Sequence, residues 1–557
     1  MVHRRSLSAL TVALGLVVSG CAGGSSTSAD TVPFSPKSYP ATGEYECAPG
    51  DTGLSSIESV DDQTVVFTLC APDAAFLKKL ALMPLTINDS GYLEAAVPDG
   101  SINTKPNGTG PLKLAAWAAG DSITLSRNEE YWGKLSEVET VVFQWQTEAS
   151  SRLIGLQAGT ADVVGNIAPS DYAVVENDPS LRLVPREPLG VSYLGFNSTY
   201  EPFSDLRVRK AIALALDRDR LLKNFYPVGS TVAPQFTPCA IEFACVGEPW
   251  YPQNIAEAKT LLADAGFPSG FKTTLSYREV ARTHTPYPLE IATDIQDQLK
   301  EVGIEVTLDS QESSTFISNL ASGLIEGLFL SGFNADYPDP TNFMNFFFGE
   351  NSSDMRFGPH AIELTEPIAL AGQESNPTAR AAYYAEANNA LRALVTTIPL
   401  VHGASAAAYR QDVAGYHTSP LELERLASLT PGNRESLVWI LGVEPSGLYC
   451  ADESDGDIFR VCAQIMEGLY GFSEGTADIE PRLAEECTAS ADSLTWTCTL
   501  RKGVTFHNGA RLDASDVLDS FAVIWDCAHP LHKGRTAVFK RWADLSGFLN
   551  PGSCTSN

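Results

Sequence analysis

Between residues 271 and 331, strand-like and helix-like apolar patterns alternate, and that alternation constrains the fold more tightly than any other feature of the chain. A strand pattern at 271–277 precedes an amphipathic helical pattern at 289–302. Strand runs at 304–308 and 328–331 then flank a helical one at 316–321. A β-α-β-α-β order needs crossover connections, so these strands should lie parallel in one sheet with helices packed on it. The predicted class is therefore α/β.

The flanking segments extend the pattern. Residues 204–225 read as one helix, capped by Ser204 or Asp205, with Leu206, Ile212, Leu216 and Leu221 in its apolar stripe. Residues 256–265 form a second helix, closed by Gly266, and 377–394 a long third one. Strands are expected at 64–69, after the Asp61-Asp62 turn, and at 112–114. Residues 422–436 make a polar linker, after which a new run of strands begins. No period of 20–50 residues recurs, which excludes solenoids and propellers. A chain of 557 residues is long enough for roughly two to four domains.

Charge narrows the partners. Lys and Arg total 38 against 68 Asp and Glu, a formal net charge of −30. Nucleic-acid binding draws its non-specific affinity from neutralising phosphates, so this balance excludes it. It also disfavours docking on anionic lipid.

The first residues point to export. His3, Arg4 and Arg5 precede an apolar run over 7–20, too short to span a bilayer but suited to a signal peptide. The run ends in Val18-Ser19-Gly20-Cys21, which resembles a bacterial lipobox and implies lipid attachment at Cys21. Residues 1–20 are thus expected to be a leader and 21–33 a flexible tether. Ten further cysteines, none spaced C-x-x-C, favour disulfides over zinc. Around the Asp492-Ser493 turn, equal counts place Cys487 opposite Cys498. Cys239–Cys245 and Cys450–Cys462 are expected as short-loop pairs, and Cys47, Cys70, Cys527 and Cys554 stay unassigned.

Several stretches carry a resemblance. They are NGTGP at 107–111, RNEEYWG at 127–133, QAGTAD at 157–162, YLGFN at 193–197, DLRVRKAI at 205–212 and ADYPDP at 335–340. Near the C-terminus follow EGL at 467–469, PRLA at 481–484, LRKGVTFHNG at 500–509 and ASDVLDSF at 514–521. Together these resemble the extracellular solute-binding proteins of peptide-type ABC importers (family 5), with oligopeptide-, dipeptide- and nickel-binding members. The resemblance implies two lobes closing on a ligand, with an extra subdomain on the first.

The order departs from that family, in which the EGL, PRLA and LRKGVTFHNG stretches come first. Either the chain is circularly permuted, or a complete protein is followed by a truncated second copy. Residues 22–63 are too few to hold a version of the block at 436–550, and each element occurs once, which favours permutation. The expected layout is a first-lobe subdomain at 34–185 and the first lobe's central part at 186–262. A second lobe follows at 263–400, then a return and linker at 401–435, and a completing first-lobe segment at 436–557.

The resemblance also implies ligand contacts. Asp336 matches the acidic residue that takes a peptide's α-ammonium, an interaction strengthened by charge; read on its own, it is equally a turn-capping residue before Pro338. Phe333 stands where the family often has Trp, and Asn334, Ala335 and Tyr337 flank the anchor. Glu444, Gly447 and Leu448 lie in a loop matching one that lines the family's cleft, where backbone could pair with an extended peptide. Tyr193 and Asn197 are either ligand contacts or core and hinge residues.

No HExxH, GxSxG or phosphate-binding loop occurs. His529 and His532 beside Cys527 are too few for a metal site, so neither a metal nor a cofactor is expected. The function implied is that of a monomeric, lipid-anchored binding protein on the extracytoplasmic face of the cell membrane. It would deliver peptides to ABC permease subunits and catalyse nothing. The alternatives are binding of oligosaccharide, a nickel chelate or another small solute, or a cell-wall hydrolase or adhesin.

Overall fold

Three sheets organise the chain in a computed structural model that describes residues 34–554 apart from Pro49, Asn351 and Ser353. The leader and the whole tether, Cys21 included, lie outside the described residues.

A six-stranded sheet has the order Thr231–Val232, Thr397–His402, Gly190–Phe196, Leu328–Asn334, Lys272–Arg278, Glu305–Gln311. Lys272–Arg278 pairs in parallel with both Glu305–Gln311 and Leu328–Asn334, as the alternating pattern requires. Helices Pro288–Lys300 and Ser313–Ala321 make the crossovers. Gly190–Phe196 is buried at every position and pairs antiparallel with two neighbours at the sheet's centre.

The sequence reading drew residues 186–262 into the first lobe. In the structure, Gly190–Phe196 and helices Leu206–Ala215 and Arg218–Phe225 share one apolar core with the strands at 272–334. The reason is that a central strand hydrogen-bonds on both edges and fixes its segment to its own sheet. The helix expected over 204–225 is also two helices, because Leu216 is extended and Asp217 caps the second through Arg220 N.

A seven-stranded sheet has the order Leu112–Ala118, Ser122–Arg127, Thr140–Trp145, Ser436–Leu441, Val163–Val164, Ser405–Arg410, Leu181–Arg186. Ser436–Leu441 lies inside it, parallel to the strands on either side. Its Trp439 is fully buried among Val141, Phe143, Tyr409 and Val461. A five-stranded sheet has the order Lys37–Tyr39, Leu54–Asp61, Thr64–Leu69, Thr495–Leu500, Ala484–Ala489. Helix Ala514–Trp525 packs on it, with Phe521 edge-on to Phe67 at 5.1 Å. Strand 64–69 and residues more than 400 positions later thus build one layer.

Among the described residues, the chain passes between the six- and seven-stranded sheets at two places. These are 187–189, linking Leu181–Arg186 to Gly190–Phe196, and 403–404, linking Thr397–His402 to Ser405–Arg410. Residues 190–402 therefore form a continuous second lobe on two strand connections, a construction suited to hinge motion.

Among the described residues five disulfides form: Cys47–Cys70, Cys239–Cys245, Cys450–Cys462, Cys487–Cys498 and Cys527–Cys554. Cys487 and Cys498 are direct cross-strand partners. Cys527 and Cys554 have donor atoms within 4.8 Å of His532, but their sulfurs are bonded to each other and offer no thiolate to a metal. No helix among the described residues is long and apolar enough to cross a membrane.

Candidate functional site

A cleft of about 1740 Å³ is lined by residues of both lobes. On the second lobe its wall is the carboxyl end of two adjacent parallel strands, Lys272–Arg278 and Leu328–Asn334. Open α/β sheets present ligand sites at that edge, because the loops leaving it converge there.

The loop after Leu328–Asn334 carries Asp336. A buried aspartate three residues on fixes its conformation. Asp339 accepts bonds from Arg380 Nη2 at 2.8 Å and Nη1 at 3.0 Å, and from Lys78 Nζ at 3.1 Å. It also accepts the Thr341 backbone N–H at 3.1 Å, at the start of helix Thr341–Phe348. Burial alone would raise the Asp339 carboxyl, but Arg380 and Lys78 hold it below its ordinary value. The turn-capping role is therefore filled by Asp339. Asp336 is fastened to the same helix by Asn342, whose Oδ1 accepts its N–H at 2.7 Å and whose Nδ2 donates to its Oδ2 at 3.3 Å. Arg541 Nη1 donates to that Oδ2 at 3.0 Å from the other lobe. Burial pushes the Asp336 carboxyl up, against the pull of Arg541 and Asn342.

Phe333, Asn334, Ala335 and Tyr337 also line the cleft. Phe333 stacks on Phe346 with ring centroids 5.5 Å apart, so an aromatic surface stands beside the carboxylate. Two arginines that sequence reasoning passed over complete this wall. Arg278 and Arg282 line the cleft, and among the described residues neither has a carboxylate within ion-pair distance. Burial, with Arg282 beside it, brings the Arg278 guanidinium down to about 10. His284 sits behind them, buried and held well below its ordinary value by desolvation and the two cations. Only the position of Arg278 and Arg282 at and just past a strand's carboxyl end could have signalled them.

Other predicted positions are engaged elsewhere. Tyr193 is fully buried in the second-lobe core, where its hydroxyl accepts from Arg356 Nη1 at 2.5 Å. Asn197 is buried, with Nδ2 donating to the carbonyls of Gly323 and Met355, and it ties loops together behind the sheet. Both take the core alternative of their two readings. In the loop after Ser436–Leu441, Gly442 and Val443 reach the cleft, whereas Glu444, Gly447 and Leu448 do not line it. Glu444 accepts the Gly120 N–H at 2.9 Å, and Leu448 is buried in the first-lobe core with its N–H on Asn103 O at 2.7 Å. An apolar side chain two positions before Cys450 is drawn inward, and the loop follows it.

A family model described as bacterial extracellular solute-binding proteins, family 5 (middle), matches residues 24–355 and 478–541. A heme-binding protein A of Haemophilus influenzae is 29% identical over 377 residues, covering 66% of this chain and 68% of that protein. A dipeptide-binding protein of Escherichia coli is 28% identical over 378 residues, covering 66% and 70%. A periplasmic binding protein of Helicobacter pylori, solved with the peptide STSA, superposes with a TM-score of 0.59. It is 26% identical, over 65% of this chain and 71% of that one.

Proposed function

Because the chain belongs to the bacterial extracellular solute-binding proteins of family 5, we propose that it captures peptides between its lobes and delivers them to an ABC importer. It acts as a binder and not as an enzyme. The observation that carries the peptide reading is the charge layout of the second-lobe wall. Asp336 suits a peptide's ammonium, and Arg278 and Arg282, which among the described residues have no carboxylate at ion-pair distance, suit its terminal carboxylate. Both charge types at one strand edge match a short zwitterion better than a neutral sugar. The dipeptide-binding relative and the STSA complex support the same class.

Calorimetry with a free dipeptide and its N-acetylated form tests the assignment. Asp336→Asn keeps the shape but removes the charge, and the free dipeptide should lose about 3 kcal/mol of binding, the low part of the range for a broken charge pair because Asp336 is partly exposed. The acetylated form should be little affected. Equal wild-type affinity for the two forms removes Asp336 from this role.

We further read residues 1–20 as an export leader and Cys21 as the lipid acceptor that holds a monomeric protein on the outer face of the membrane. Cys21→Ser should then move the protein from the membrane fraction to the soluble one; retention in the membrane fraction would contradict this. The order of the blocks is read as a circular permutation. It is supported by the placement of Ser436–Leu441 inside a first-lobe sheet and by a family match that resumes at 478.

A further inference from the structure

The carboxylate assigned to the ligand's ammonium already carries a cation of the protein's own. Arg541 belongs to a short helix, Lys540–Leu545, on the first-lobe side of the cleft. Its guanidinium is split between the lobes. Nη2 donates to the Ser454 carbonyl at 3.4 Å on its own side, while Nη1 reaches across to Asp336 Oδ2 at 3.0 Å. The adjacent Lys540 leans the same way, its Nζ 5.8 Å from the centre of the Phe346 ring on the second lobe. Both members of the ion pair keep roughly a fifth of their side-chain surface exposed, 23% for Arg541 and 21% for Asp336. The pair is thus wet enough to exchange and close enough to matter.

We propose that Arg541 is a specificity-determining residue, an internal competitor that a ligand's ammonium must displace from Asp336. This rests on the peptide reading above. The chemistry is an exchange of cations on one carboxylate. Asp336 Oδ2 already accepts from Asn342 and Arg541, and an ammonium that binds this oxygen takes the position of Nη1. Ser454 then retains Arg541 on the first lobe by its other nitrogen, so displacement does not cast the guanidinium loose. A ligand without a cationic amino group gains nothing by opening the pair. Arg541 therefore lowers affinity for every amine-bearing ligand by a common factor and leaves N-blocked ligands almost unaffected. A surface-type ion pair of this exposure is worth a factor of up to about five in an equilibrium constant.

Calorimetry on the full chain with Arg541→Gln, Asp336→Asn and the double variant, each with a free dipeptide and its N-acetylated form, tests the proposal. Thermal melts of each variant check folding. Arg541→Gln should bind the free dipeptide about two- to fivefold more tightly and the acetylated one unchanged, and in the Asp336→Asn background it should have no effect. If Arg541→Gln binds the free dipeptide no better or more weakly, while wild type still prefers free over acetylated, Arg541 is a latch between lobes and the competitor role is overturned. If wild type does not distinguish the two ligands, the peptide anchor itself fails and the competitor role falls with it.

Discussion

A chain ending at Arg434 should lose the cooperative unfolding of its first lobe and bind no ligand. The cut removes Ser436–Leu441 from inside the seven-stranded sheet, leaving Thr140–Trp145 and Val163–Val164 without the strand that pairs with both. It also removes Ala484–Ala489, Thr495–Leu500 and helix Ala514–Trp525, which cover Thr64–Leu69. Trp439, Leu437, Val461, Ile465, Cys498, Leu500, Val517 and Phe521 are almost fully buried, and each vanishes from a core that remains behind. A fully buried large apolar side chain contributes roughly 1.5–3 kcal/mol. The loss of even six such groups, about 9–18 kcal/mol, is therefore comparable to the ~5–15 kcal/mol that holds a typical protein folded. Recording the thermal unfolding of the 1–434 chain beside the full one decides the matter. A sharp transition with ligand binding retained would mean that 1–434 is complete and that the remainder is a dispensable second fragment, ending the permuted reading.

Glu424→Gln should destabilise the protein by about 3–5 kcal/mol, the cost of leaving buried charge without its counter-ion. Glu424 is fully buried between two buried guanidiniums, with Arg186 Nε at 2.9 Å and Arg460 Nε at 3.0 Å. Arg186 ends the strand that leads into the interlobe connection, and Arg460 lies on helix Gly456–Ile465, so the cluster joins elements some 270 residues apart in sequence. Burial alone would raise the Glu424 carboxyl, but the two arginines bring it from an ordinary 4.5 to about 2. A depressed folded-state value means that the charged form stabilises the fold. That stability is fully present above pH 4.5 and is lost as the pH falls through about 2. Denaturant melts between pH 7 and 2 should therefore show the wild type losing its advantage over the variant in that acid window. A variant as stable as wild type at pH 7 would show that the cluster contributes nothing net.

What could be read from the sequence was local. The Cys487–Cys498 bond follows from counting residues back from one turn, because a hairpin fixes its own register. The parallel strands at 272–278, 305–311 and 328–334 follow from alternating periodicities, each set within a dozen residues. Asp336 stood out through the resemblance that the ADYPDP stretch carries, while the Asp/Pro turn was the competing reading of the same residues. The break at Leu216, by contrast, is a one-residue choice that an unbroken apolar stripe conceals.

The sequence by itself determined the α/β class and the crossover sheet, since each rests on neighbours along the chain. Only the tertiary structure decided that residues 190–262 belong to the second lobe, that Tyr193, Asn197 and Leu448 face away from the cleft, and that Cys47 pairs with Cys70 and Cys527 with Cys554. It alone brought Arg541 to Asp336 across 205 positions of chain. The physical reason is that burial and charge pairing are set by which surfaces meet. A side chain's periodicity says that it will be covered, but not by what.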